Sequence, residues 1–209
     1  MARVRSPEES MRDILNAAEQ EFADKGFYGA RMDEIAEKAH INKRMIYAYF
    51  GDKEFLYKQI LFLVYARMEA VERGLVEKQF TGRELIREII SAYFHFLKTN
   101  PTFVHILMWE NLNRGRYLKE MESSKIERQT IRLFAQEIAK GKAEGIFKPE
   151  IDEFQTVISL ITICFANFSN QYTLSKLFHT DLTSDEMLDE RRRYTMDMVM
   201  AYLCTDDSK

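Results

Sequence analysis

Lys43 and Arg44 stand side by side in a stretch that also carries Tyr47, Tyr49 and Lys53, and these side chains point most directly to chemistry. That chemistry is recognition of a polyanion. At the start of a helix, long cationic side chains can reach base edges in a DNA groove, and the helix dipole favours the same negative partner. Tyr47 and Tyr49 can lay a ring against a sugar and a hydroxyl on a phosphate, while Lys53 falls at the start of the next helix, among outward-pointing amides. Bond-making chemistry has little support. Glu37-Lys38-Ala39-His40 is the single Glu-x-x-His of the chain, whereas a di-metal bundle needs two. No His-Glu-x-x-His, Cys-x-x-Cys or glycine-rich nucleotide loop occurs, so neither a metal nor a cofactor is expected. A nucleophile assembled from distant Ser or Cys and His stays open, with no residue singled out.

These side chains need a scaffold. In Ser6-Pro7-Glu8-Glu9 a capping residue precedes proline at the first helical position and Glu at the third, which predicts a helix start. Met11, Ile14, Leu15, Ala18 and Phe22 then form one apolar stripe over about residues 7–25, ended by Lys25-Gly26. A short helix follows from Met32 to Ala39, then the tight turn His40-Ile41-Asn42, then a second short helix from Lys43 to Phe50 with Asn42 as its cap. Gly51 stops it, and Asp52 caps a long fourth helix running to about Gly74. Two short helices across a tight turn, propped by a longer one, make the arrangement that places its second helix in a major groove.

Downstream the pattern stays helical. Thr81 with Glu84 predicts a capping box, Asn100-Pro101 a helix start, and further helices span about Leu118–Lys140, Asp152–Leu177 and the stretch from Thr183 to about Cys204. About nine helices and no credible strand pair make the chain all-α, and Asp206-Asp207-Ser208-Lys209 reads as a frayed tail.

Composition fits this reading, with 46% hydrophobic and 30% charged residues, 8 Gly and only 3 Pro. A formal net charge of -3 excludes a surface coated in positive charge, so contact with DNA must come from a local patch. Two widely spaced cysteines, Cys164 and Cys204, and no apolar leader at the N-terminus point to the cytoplasm. The apolar run Val157–Phe168 is too short to span a membrane, and Asn167-Phe168-Ser169 inside it is discounted as a glycosylation site.

The segment Ile35–Lys53, IAEKAHINKRMIYAYFGDK, closely resembles the helix-turn-helix signature of the TetR repressor family. Ile35-Ala36, Ala39, Ile41, Tyr47, Tyr49-Phe50 and Lys53 carry the likeness, and upstream Phe22 and Gly26-Phe27 extend it to about residues 10–57. Three positions depart from the pattern. His40 replaces a glycine, Asn42 a capping Ser or Thr, and Arg31 a Thr at the start of the second helix. The resemblance implies a three-helix DNA-binding domain over residues 1–55, joined by the long fourth helix to a helical effector-binding and dimerisation domain over 56–209. Its implied DNA contacts are Arg31, Lys43, Arg44, Met45, Tyr47, Tyr49 and Lys53, with Lys43 and Arg44 as base readers; Arg3 and Arg5 could add phosphate contacts.

The helix after Asp152 is apolar nearly all round, so it must be buried on two sides. One side can face its own domain and the other a partner subunit, with Phe154, Ile158, Ile161, Phe165 and Phe168, joined by Tyr194 and Met198 of the last helix, forming the interface. A homodimer would read a near-palindromic operator. The resemblance also implies a pocket for a small-molecule effector among the central helices, where His95, His105, Trp109, Asn113 and Asn167 are the candidate contacts. An aromatic stripe at helical spacing is also what a plain core looks like. The function expected is a ligand-responsive transcriptional repressor without enzymatic activity; the alternative is a helical small-molecule-binding or interaction module that binds no DNA.

Overall fold

Ser6 opens the first helix as its neighbours dictate: its Oγ accepts the Glu9 amide at 3.1 Å, and the Glu9 carboxylate accepts the Ser6 amide at 3.0 Å. In the computed structural model, which describes residues 6–121 and 129–205, this helix, α1, spans Pro7–Gly29. It breaks at Gly26, whose φ of 67° and ψ of 178° belong almost only to glycine, and then adds one more turn. α2 (Met32–Lys38) and α3 (Lys43–Phe50) follow, separated by the turn in which His40 takes φ 54°. Asn42 caps α3 by accepting the Arg44 amide at 2.9 Å. Gly51, at φ 70°, ends it, and Asp52 caps α4 (Lys53–Glu77) by accepting the Phe55 amide at 2.7 Å.

Then come α5 (Gly82–Thr99), α6 (Pro101–Leu112), α7 (Arg116–Glu120), α8 (Gln129–Ala143), α9 (Glu153–Ser169), α10 (Gln171–Phe178) and α11 (Asp185–Leu203). Among the described residues the only strand-like feature is a single bridge between Phe147 and Cys204. Among the described residues there are eleven helical segments rather than the expected nine, because α7 starts separately after Gly115, at φ 66°, and because the run after Asp152 breaks at Asn170. The middle of the predicted Leu118–Lys140 helix, Arg3, Arg5 and the tail 206–209 lie outside the described residues. Thr81 does not cap α5 with its side chain, so the expected capping box is absent; the helix opens instead at Gly82, with φ 51°. No described helix is long and apolar enough to cross a membrane.

The chain forms two compact units, and the division differs from the expected break after residue 55. The first unit keeps α4 as far as Ala66 and takes in the segment from Pro101 through α7. Two side chains explain that inclusion. Trp109 of α6 donates its indole N–H to the Ala23 carbonyl at 3.1 Å and packs over Gly26. Glu110, 1% exposed, accepts the first amides of α7, Tyr117 at 2.8 Å and Leu118 at 3.1 Å, and the Tyr57 hydroxyl of α4 at 3.3 Å. Around them Phe22, Phe27, Tyr57 and Tyr117 pack edge-to-face or tilted, with centroid separations between 4.5 and 5.4 Å. Burial foremost, then the Glu110 charge, drives the Tyr57 phenol well above its ordinary pKa, keeping it a neutral donor.

In the second unit, α5 buries Leu85, Ile86, Ile89, Ile90, Tyr93, Phe94, Phe96 and Leu97 against α8, α9 and α11. The buried Glu72 of α4 accepts the Tyr93 hydroxyl of α5 and, at 2.5 Å, the Thr130 hydroxyl of α8, so one carboxylate joins three helices.

Candidate nucleic-acid interface

The reading head is built on a buried charge. Glu21 of α1, fully buried, lies 2.8 Å from Lys25 and 2.6 Å from Lys38 of α2, and Lys25 also pairs with Glu34 of α2. Burial alone would raise the Glu21 pKa, but hydrogen bonding involving Glu34, Lys25 and Lys38 outweighs it and brings the value down to about 2. The carboxylate therefore stabilises the α1–α2 junction above its ordinary 4.5 and loses that contribution as the pH falls from there toward 2. Glu21→Gln should cost about 2 kcal/mol at neutral pH, less than a fully buried pair because both lysines stay partly exposed. Denaturant melts of both proteins should converge as the pH falls below 4.5; a gap that stays constant with pH would contradict this role.

On this base α3 buries Ile46 and Phe50 and turns Arg44, Met45, Tyr47 and Ala48 outward. Met45 is 39% and Tyr47 44% exposed; Tyr49 is half-buried beside Phe50. Arg44 is exposed, and its guanidinium has no partner among the described residues. Lys43 reaches back to Asp33 of α2, at 2.8 Å. Arg31 is exposed at the start of α2 and makes no side-chain cap, the consequence of a long side chain where a hydroxyl would serve. Lys53 departs from expectation. Its ammonium donates to the Ala30 carbonyl at 2.6 Å and lies 4.8 Å over the Phe27 ring, and burial lowers its pKa, so it ties the fold instead of standing free for phosphate.

None of the cavities among the described residues brings the candidate effector contacts together. Trp109 is committed to α1, while His105 and Asn113 are half-buried elsewhere on and after α6. In the second unit Asn167 accepts from Arg191 at 3.1 Å, and His95 is exposed at the edge of a hollow of about 170 Å³ that it shares with Phe94 and Arg192. Of the aromatic run, Tyr93, Phe94, Phe96 and Phe103 are all buried. A larger hollow, about 330 Å³, opens between the end of α4, the start of α5 and α8, walled by Val76, Leu85, Leu133 and Phe134 with Glu137 and Lys140 at its edge. Nothing in the sequence marked it, because its walls come from three separate helices.

On α9, Phe154 is 60% and Ile158 42% exposed, with Ile161 and Phe165 half-buried; on α11, Tyr194 is 62% and Met198 46% exposed. Phe168 is a correction to the interface set. It is buried, with its ring 5.6 Å from Phe94, because it falls on the side of α9 that meets α5. Leu177 and Phe178 on α10, over two-thirds exposed, were not anticipated, since the sequence reads as one helix through Asn170.

A helix-turn-helix head with an outward cationic helix, carried by an all-helical chain, defines a DNA-binding transcription regulator. Residues 14–60 match the profile described as bacterial regulatory proteins, tetR family, and residues 83–199 that of the tetracyclin repressor-like C-terminal domain. The chain belongs to the TetR family. It is 29% identical over 185 residues to the HTH-type transcriptional repressor NicS of Pseudomonas putida, covering 88% of this chain and 87% of that one. Among solved structures it is similar in fold to the ketosteroid transcriptional regulator KstR2 of Mycobacterium tuberculosis, with a TM-score of 0.74 at 17% identity over 98% of both chains. The fatty acid degradation regulator FadR of Bacillus halodurans gives 0.67 at 18% identity, over 93% of this chain and 97% of that one.

Proposed function

We propose that this cytoplasmic protein is a repressor that grips a near-palindromic operator as a homodimer and releases it when a small-molecule effector binds. The observation that carries the reading is Arg44, exposed and with no partner among the described residues, at the start of a helix whose Ile46 and Phe50 are spent on the core. A guanidinium there can bond guanine O6 and N7 together, while Lys43 reads beside it and Met45 offers an apolar contact to a thymine methyl. Arg31, Tyr47 and Tyr49 position the head on the backbone. That relatives such as NicS are named repressors supports the sign of regulation.

The homodimer reading is supported by the apolar side chains that α9 and α11 leave uncovered, which flank a groove of about 590 Å³ lined by Leu160, Ile163, Met198 and Tyr202. A two-fold dimer would offer one recognition helix to each of two major grooves about 34–36 Å apart. For the effector, the 330 Å³ hollow is the better candidate because the groove belongs to the dimer face. Val76 in its wall lies on α4, the helix that begins just after the recognition helix, so an effector there biases a segment shared with the DNA-binding unit.

The test is selection of bound duplexes from a random pool, followed by gel shift under competitor DNA and rising salt. Specific binding should survive competitor and weaken steeply with salt. Arg44→Ala should cost about tenfold or more in operator affinity and relax preference at one position per half-site, since a bidentate base contact contributes about 1–3 kcal/mol. Unchanged discrimination in that variant would refute the base-reading role.

A further inference from the structure

Lys43 and Arg44 are neighbours on one helix, yet only Lys43 has an acidic partner. α3 carries no acid of its own, so the countercharge comes from α2: Asp33 Oδ1 and Oδ2 lie 2.8 and 2.9 Å from Lys43 Nζ. The pair is open to solvent, with the Asp33 side chain 74% and the Lys43 side chain 41% exposed. Such a pair contributes little to stability. The packing of α2 on α3 rests instead on Ile35, Ala36, Ile46 and Phe50, all buried. The next acid, Glu34, is paired with Lys25 of α1, and Glu37 is exposed with no such bond to α3.

The electrostatic consequence concerns random DNA. Binding without sequence preference comes almost wholly from cations placed on phosphates with release of counterions. With two of its three N–H groups on Asp33, Lys43 can give its charge fully to a phosphate only by leaving Asp33, whose carboxylate would then face the phosphodiester uncompensated. On a correct base edge the ammonium gains a directed acceptor in return. The Asp33 hydrogen bond foremost also raises the Lys43 pKa, which keeps the ammonium charged.

We propose that Asp33 is a specificity-determining residue: it withholds Lys43 from sequence-independent phosphate contact and yields it to the operator's base edges. This rests on the DNA-binding reading above.

The experiment is fluorescence anisotropy of the full-length protein on a random-sequence duplex and on a selected operator duplex across a salt series. Asp33→Asn should bind the random duplex about five- to tenfold tighter, with the slope of log affinity against log salt steeper by about 0.9 per head, as for one added phosphate contact. Operator affinity should rise less, so the ratio between the two falls. Glu37→Gln removes the same charge from the same helix without freeing Lys43, and should change random-duplex affinity by less than about twofold. In a Lys43→Ala background the gain from Asp33→Asn should disappear. The proposal is overturned if Asp33→Asn does no more than Glu37→Gln, or if its gain survives Lys43→Ala. Normal operator binding by the unaltered protein alongside either result confines the failure to Asp33; no salt-dependent binding to either duplex sinks the DNA-binding reading with it.

Discussion

Arginine in place of Ile158 should convert the protein to monomers at micromolar concentration and weaken operator binding by about a hundredfold or more. Ile158 is 42% exposed on α9, with the more exposed Phe154 one turn earlier, so an isolated chain tolerates the change and its helical signal and melting temperature should hardly move. At a two-fold interface each substitution occurs twice, and each guanidinium would be stripped of water opposite apolar neighbours, a penalty of several kcal/mol per ion. Separated heads then lose the effective concentration that links two half-sites, a factor of roughly 10²–10⁴. Light scattering gives the mass, and gel shift on the selected operator gives the affinity. A variant that remains dimeric and binds normally would place the interface elsewhere.

The second large effect lies where α1 breaks. A Cβ added at Gly26 would sit 2.7 and 2.8 Å from Trp109 Cδ2 and Cε3, and the backbone there is at φ 67°. Gly26→Ala should therefore cost about 1–3 kcal/mol for a conformation that is nearly glycine's alone. Forcing the indole aside adds about 1–3 kcal/mol. For a chain of this length, a combined loss of about 3 kcal/mol lowers the melting temperature by roughly 6–12 °C. Trp109→Ala removes the half-buried ring and its bond to Ala23, and should cost about 2–3 kcal/mol. The informative measurement is the double variant. With the ring gone the new methyl has room, so the two losses should fall short of adding by about 1 kcal/mol or more. Strict additivity would mean that Gly26 and Trp109 do not press on each other.

Both cases show where reading along the chain succeeds and where it stops. Ser6, Asn42, Asp52 and Asp152 behave as anticipated because a cap is decided within about four residues: a short side chain meets the amides two or three positions on. His40 takes a left-handed backbone, φ 54°, at the position where the family pattern has glycine. Glu21, Glu72 and Glu110 were not legible as organising carboxylates, since each is defined by partners on other helices, Glu110 by a hydroxyl 53 residues away.

The aromatic run from Tyr93 to Trp109 shows the same limit from the other side. Period and composition are identical for a core and for a pocket wall, and it took packed neighbours to send Phe94 and Phe96 inward and Trp109 onto α1. On α9, where almost every face is apolar, no pattern could say that Phe168 meets its own domain while Phe154 and Ile158 are left uncovered. Local chemistry along the chain was enough for most helices and many of their caps, though not for the breaks at Gly115 and Asn170. Which cations are held, Lys43 by Asp33 and Lys53 by Ala30, and that Arg44 has no partner among the described residues, became visible only when distant segments met, because an ion pair or a buried ammonium depends on separation in space and not on order along the backbone.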